Sequence, residues 1–378
     1  MSYKTKGAAL VACMLAIGVA LTPQSASAQQ LCTDVPPPQQ TALMRPIPLG
    51  ISGGNIRSLI KKNGKVKGCF SGTLGSMVQD SNGQYILSNN HVIADQNAAT
   101  SGQLILQPGL ADVQCIKSTS NQVATFSRAV KLKFLSGKNT VDAAIAAVEP
   151  GQVSPDILFI GGITGTVVSA PTLGLAVTKM GRTTCLTQGV IAALNANVVV
   201  NYSDKPNKKK LAKFFGQILV TGDKVTPIFG AAGDSGSLIV TDDDINCPQA
   251  VALLFAGTLS GLTIANPIPA VLSGLGVSMV ADCTNLASEP PQADVAAPDV
   301  GLAAEVVKSA TAVRDQHEDS LMSIAGAVGT GIAASDQPGQ ATIAVYLDKL
   351  TPQAQAAAPK ELEGLPVKLI ESGEFDAF

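Results

Sequence analysis

Between residues 65 and 283 apolar positions come in short runs, each bounded by Gly, Asn, Asp or Pro. Gln84-Tyr85-Ile86-Leu87-Ser88, Gln103-Leu104-Ile105-Leu106, Ala143-Ala144-Ile145-Ala146, Val198-Val199-Val200 and Gln217-Ile218-Leu219-Val220 all have strand length. The stripe of a long amphipathic helix is missing from this stretch, so the pattern predicts many short strands in an all-β barrel or sandwich. After residue 301 the pattern changes. Residues 302–324 have helical periodicity, and residues 328–332 and 341–346 read as strands. Thr351-Pro352 opens a second short helix, and residues 367–370 read as a last strand. That order describes a small α+β module behind the β region.

Between the two patterns, residues 284–300 hold Glu289-Pro290-Pro291-Gln292-Ala293-Asp294 and read as a linker. At the other end, Lys4 and Lys6 precede an apolar stretch through Leu21 and the small residues Ala26-Ser27-Ala28. A basic start, a short apolar run and a small-residue cleavage site describe a secretory signal peptide over residues 1–28, cut after Ala28. The expected organisation is a signal peptide at 1–28, a β domain at 29–283, a linker at 284–300 and a module of unknown role at 301–378. The expected location is secreted or periplasmic. No internal apolar run reaches the length of a stable membrane span.

Composition narrows the picture. Of 378 residues, 46 % are hydrophobic and 14 % charged, which excludes a disordered or acidic-tail chain. A pI near 5.7 argues against a nucleic-acid partner held by bulk charge. Residues 29–283 carry 19 Lys and Arg against 14 Asp and Glu, while residues 284–378 carry 5 against 14. Opposite signs would let the module dock on the β domain; two solvated surfaces are the plainer reading. The lysines from Lys205 to Lys213 cluster between strand-like segments and read as a solvated hairpin loop, with contact to an acidic substrate or the acidic tail as the alternative. Loss of residues 1–28 leaves cysteines at 32, 69, 115, 185, 247 and 283. An even count in an exported chain favours disulfides, with fifteen pairings open to six thiols. None has C-x-x-C spacing, so no metal site is expected.

The chain has two histidines, His91 and His317. His91 follows a predicted strand in Leu87-Ser88-Asn89-Asn90-His91-Val92. Asp142 leads the apolar run of Val141-Asp142-Ala143-Ala144-Ile145-Ala146, and Ser235 stands in Gly233-Asp234-Ser235-Gly236-Ser237. A serine hydroxyl is a weak nucleophile and needs a base within hydrogen-bond reach. Histidine suits that task near neutral pH, and a carboxylate fixes its tautomer and stabilises the imidazolium. Glycines beside the serine let the amides of Gly233 and Ser235 point at one oxyanion. His317 reads as a surface helix residue, because H-E-x-x-H fails at Leu321. The G-x-S-x-G elbow fails at Ser237.

The order His, Asp, Ser with these flanking motifs resembles the chymotrypsin/trypsin-like serine peptidases. Further segments resemble their bacterial branch that is similar to the plant narrow-leaf-type trypsin-like proteins. They are Gly72-Thr73-Leu74-Gly75, Gln107-Pro108-Gly109, Gly181-Arg182-Thr183-Thr184, Leu254-Phe255-Ala256-Gly257 and Ile264-Ala265-Asn266-Pro267-Ile268. The resemblance implies two β-barrels with the site in the cleft between them. His91 is then general base, Asp142 its orienting acid and Ser235 the nucleophile, with Gly233 and Ser235 forming the oxyanion hole. It also implies a substrate pocket near Phe229, Phe255, Ala256 and Gly257, no cofactor, and a disulfide between Cys69 and Cys115 around the histidine segment. Cys32 with Cys283 and Cys185 with Cys247 is the expected pairing of the other four. Ile51-Ser52-Gly53-Gly54 reads as internal rather than as an amino terminus freed to meet Asp234. The function expected is exported serine endopeptidase acting on protein or peptide substrates. The alternatives are a non-catalytic binding or scaffold protein on the same fold, a latent protease held by its acidic module, and an esterase with the same triad.

Overall fold

Strand-length apolar runs become buried strands wherever both faces find a partner. The computed structural model describes residues 37–135, 137–203, 208–242, 247–283 and 302–378. The signal-peptide segment, Cys32 and the linker at 284–300 lie outside the described residues. The run at 84–88 forms the strand Gly83–Ser88, paired antiparallel with Ser76–Asp80 on one side and Ala144–Val148 on the other. Five more strands complete an eight-stranded sheet: Ser278–Met279 at one edge, then Gln122–Ala129, Leu104–Leu106, Ile51–Asn55 and Gly72–Leu74 beyond Ala144–Val148. The amide of Gly75, just after the last of these, donates to the Leu87 carbonyl at 2.9 Å, which curls the sheet back onto its middle. Ile51, Leu74, Ile86, Leu87, Ile105 and Ile145 fill the interior without exposure. Each contributes about 1.5–3 kcal/mol of apolar burial.

The second barrel is a closed ring of six strands. In order they are Leu211–Gly222, Thr263–Pro267, Ala250–Gly257, Leu238–Thr241, Ala176–Gly181 and Cys185–Asn201, the last pairing back onto the first. Cys185–Asn201 runs for 17 residues and also pairs antiparallel with Ala327–Ala334. From there the sheet continues through Ala341–Leu347, Leu365–Glu371 and Glu361–Leu362. The α+β module is thereby joined to the second barrel by a shared sheet, covering an edge that would otherwise expose unpaired backbone. The helix Ala304–Met322 packs on it through Val307, Ala310 and Leu321. Its buried Arg314 donates to the Asn195 carbonyl at 2.7 Å.

The fold is thus all-β and two-barrelled, with a small α+β part behind it, as expected. The predicted second short helix is Pro352–Ala357, capped by the Thr351 hydroxyl, which accepts the Ala354 N–H at 3.1 Å. Two short strands of the module escaped the pattern, Glu361–Leu362 and Phe375–Ala377. Among the described residues no helix is long and apolar enough to cross a membrane.

Cys69 and Cys115 are disulfide-bonded, as the resemblance implied. The other expected pairs are corrected: Cys247 is bonded to Cys283. Residues 163 and 164 bring these two cysteines together, since the Thr164 amide donates to Pro248 and the Asp282 amide to Ile163, each at 3.1 Å. Cys32 therefore does not hold Cys283, and Cys247 does not hold Cys185. Cys185 is itself disulfide-bonded.

Candidate functional site

The strand Gly83–Ser88 delivers His91 into the short helix Asn90–Ile93. Asn89, just before it, donates its side-chain amide to the Asp142 carbonyl at 2.7 Å, fastening the two segments together. His91 Nδ1 lies 2.6 Å from Asp142 Oδ2. Asp142 is fully buried, two residues ahead of the strand Ala144–Val148. Its Oδ2 also accepts the Tyr202 hydroxyl at 2.7 Å, and its Oδ1 accepts the His91 amide at 3.3 Å. Its own amide donates to the Asn266 side chain at 2.9 Å, and Asn266 in turn donates to Gln217. A buried carboxylate without such donors is costly; here each oxygen has a donor.

Burial opposes a charged His91 ring, but the Asp142 carboxylate and a backbone carbonyl at Phe378 outweigh it and raise its pKa above the ordinary histidine value. Nε2 lies 3.0 Å from the Phe378 oxygen. Both ring nitrogens thus face acceptors, an arrangement that the imidazolium satisfies fully. Burial, reinforced by the negative charge and hydrogen bond of Asp142, drives the Tyr202 pKa well above its usual value, so the phenol stays protonated.

Ser235 sits on a loop of the second barrel that is strapped to the first. The Thr73 amide donates to the Ser235 carbonyl at 2.8 Å, and the Thr73 hydroxyl donates to the Gly233 carbonyl at 3.0 Å. Ser235 is fully buried, and its hydroxyl donates to the Phe255 carbonyl at 3.0 Å. Among the described residues no hydrogen bond joins Ser235 to His91. Gly233 has φ +101°, a left-handed conformation that side chains rarely adopt. Neither its amide nor that of Ser235 donates to a protein acceptor among the described residues.

Asp234 anchors the loop from below. Its Oδ1 accepts the amides of Thr183 at 2.7 Å and Thr184 at 3.2 Å. Its Oδ2 accepts the Thr184 hydroxyl at 2.7 Å and the Ala231 amide at 3.0 Å, with Lys179 Nζ 3.7 Å away. Lys179 is fully buried; burial lowers its pKa, and Asp234 offsets part of that. Asp234 is thus met by Lys179, while Ile51 lies inside its strand, paired with Leu74.

The four expected pocket residues are distributed unevenly. Ala256 and Gly257 pair with the strand Phe375–Ala377, and Phe255 offers its carbonyl there while its ring packs on Phe214. Phe229 is fully buried in the apolar cluster against which Phe378 packs. His317 lies apart, on the module's helix, 3.0 Å from Glu363. Sequence reasoning gave no role to Tyr202, Lys179, Asn266 or Phe378. A lone lysine inside the apolar run Ala176–Gly181 was a readable sign of a buried partner; a three-residue strand carried none.

A family model described as the Nal1 C-terminal domain matches residues 158–265, a segment that holds Asp234, Ser235 and the strand Ala250–Gly257. No curated protein matches the chain. Among solved structures, the chain is similar to a glutamic acid specific serine protease that utilizes a histidine triad in substrate binding. The two are 18 % identical, covering 62 % of this chain and 100 % of that one, with a TM-score of 0.39. It is also similar to Thermobifida fusca protease A at 18 % identity, covering 62 % and 99 %, with a TM-score of 0.40. Cellulomonas bogoriensis chymotrypsin is 20 % identical over 61 % of this chain and 98 % of its own, with a TM-score of 0.37.

Proposed function

We propose that the chain is an exported serine-type endopeptidase that hydrolyses peptide bonds through an acyl-enzyme on Ser235. The observation that carries this reading is the 2.6 Å contact of His91 Nδ1 with the buried Asp142 carboxylate, beside a serine loop bonded to the same barrel. With a substrate in the cleft, the Ser235 hydroxyl turns from Phe255 to His91 Nε2. His91 takes its proton as the oxygen attacks the carbonyl carbon. Asp142 holds the ring in place and stabilises the imidazolium. The amides of Gly233 and Ser235 receive the oxyanion, and the donors around Asp234 keep that loop in shape. His91 then gives its proton to the leaving nitrogen as the C–N bond breaks. Water repeats the cycle, with His91 again as base, and frees the acid. These groups and the substrate carry every proton and electron pair, so the proposal names no cofactor. The apolar surroundings of Phe229, Phe255, Ala256 and Gly257 favour an apolar residue before the scissile bond over Lys or Arg. Disulfides support an oxidising, extracytoplasmic compartment.

Labelling with a fluorophosphonate probe tests the reading. The mature chain is expected to be labelled, and Ser235→Ala and His91→Ala to abolish the signal. A folded chain that no form of the probe labels, the tail variant below included, would leave a binding scaffold in place of an enzyme.

A further inference from the structure

The segment that follows the module's last long strand returns to the candidate active site. Phe375–Ala377 is flanked by two strands of the second barrel. It pairs antiparallel with Ala250–Gly257, with Ala377 opposite Ala256 and Asp376 opposite Gly257. On its other side it pairs parallel with Cys185–Asn201. The next residue, Phe378, is held at both backbone ends. Its amide donates to the Phe255 carbonyl at 3.3 Å, and its oxygen accepts from His91 Nε2 at 3.0 Å. Its ring lies over Gly257 so closely that a Cβ there would stand 2.3 Å from the ring's Cζ. Only glycine leaves room for the ring at that point. The Ser235 hydroxyl donates to the same Phe255 carbonyl, while His91 Nε2 is taken by Phe378.

An extended segment added to an exposed strand, with one side chain in an apolar recess, is how grooves read peptides. Main-chain bonds supply affinity and the recess supplies selectivity. Resting on the peptidase reading, we propose that residues 375–378 occupy the cleft as a substrate-like strand. Phe378 stands where the residue before a scissile bond would stand. The cleft therefore selects chains with a bulky aromatic residue there and a small residue before it, and the chain's own tail competes with them. Anchors outside the cleft hold the tail near. Asp376 accepts from Asn201 at 3.0 Å, Lys209 contacts Glu374, and the Phe375 ring is buried against Tyr346. Tethering makes the competition intramolecular, at an effective concentration of about millimolar. The cluster around Lys209, read from sequence as solvated, thereby also meets the acidic tail.

The test compares the full chain with Phe378→Ala, which keeps Phe375 and its packing, and with Ser235→Ala as the blank. Phe378→Ala is expected to be labelled by a fluorophosphonate about 10-fold faster or more, as burial of a phenyl ring predicts. Among peptides differing only before the scissile bond, Phe or Tyr is expected to exceed Ala by about 10-fold or more in kcat/KM. The free peptide Glu-Phe-Asp-Ala-Phe is expected to displace the tail of a Phe375→Ala, Phe378→Ala double variant, which lacks both anchoring rings, and so to bind it in calorimetry, also when Ser235→Ala is added, and its variant ending in Ala to bind at least about 10-fold more weakly. Equal labelling of both chains together with no aromatic preference would overturn the tail proposal and leave the peptidase reading standing. Labelling of neither would overturn the peptidase reading. Peptide binding then decides the tail proposal by itself, and its absence overturns it.

Discussion

Two buried carboxylates flank the cleft, and they are satisfied in different ways. Asp142 shares one oxygen between the His91 ring and the Tyr202 hydroxyl. Asp234 is enclosed by three backbone amides, a threonine hydroxyl and the ammonium of Lys179. Both are fully inaccessible to water, so both meet the same desolvation cost. What differs is the nature of the partner. An imidazole gains and loses a proton near neutral pH, whereas amides and a threonine hydroxyl do not. On the peptidase reading the first arrangement moves a proton; the second holds a backbone.

That contrast predicts separable effects. The largest is expected for Asp142→Asn, which keeps the shape but favours the wrong histidine tautomer. On the peptidase reading, kcat on a peptide substrate falls roughly 10⁴-fold in stopped assays. A loss below tenfold would remove Asp142 from the reaction. The next concerns folding. Asp234→Asn leaves Lys179 buried without its counter-charge and is expected to lower stability by about 3–5 kcal/mol in urea titrations. Lys179→Met is expected to cost less, because four hydrogen bonds to Asp234 remain. Equal losses would show that the ammonium, not the amides, holds the loop.

The smallest effect sharpens the histidine side. Because His91 has a raised pKa, the imidazolium persists above the pH where an ordinary histidine loses its proton. A general base must be neutral, so activity is expected to rise with pH and to do so above about 6.5. The same sign applies to the tail. The imidazolium donates to the Phe378 oxygen, so this part of the tail's hold is complete at low pH and is lost as pH rises through the His91 pKa. Among the described residues Asp142 and Tyr202 are the titratable side chains facing the ring, and Tyr202→Phe removes a donor that competes for the Asp142 charge. The rising limb is expected to move to higher pH, with a change in kcat worth about 1 kcal/mol. An unmoved pH profile would reduce Tyr202 to packing.

Legibility of the site followed the range of the interactions involved. His91, Asp142 and Ser235 stood out because each carries unusual chemistry inside an otherwise apolar or glycine-rich stretch. The Gly181-Arg182-Thr183-Thr184 segment carries a family resemblance but no chemistry of its own in sequence; in the fold two of its amides and the Thr184 hydroxyl meet Asp234, about 50 residues away. Tyr202 follows a long strand and looks like one more aromatic until the chain places it against Asp142. The disulfides did not divide by range. Cys69 and Cys115, 46 residues apart, bracket the histidine segment and were expected from the resemblance alone, while Cys247 and Cys283, 36 apart, meet where residues 163 and 164 lie beside both.

Local patterning thus determined the longer strands, the long helix of the module, its capped second helix and the chemical types present. These depend on neighbours a few residues apart, where periodicity and capping act. Tertiary structure decided which barrel edge the module's sheet would extend and which cation met Asp234. It also decided where Phe378 would lie. Three residues of strand bury too little to announce themselves, and Phe375–Ala377 is defined by two partner strands more than 100 residues away. A contact of that range has no signature in sequence, because its stability comes from surfaces built by residues far away along the chain.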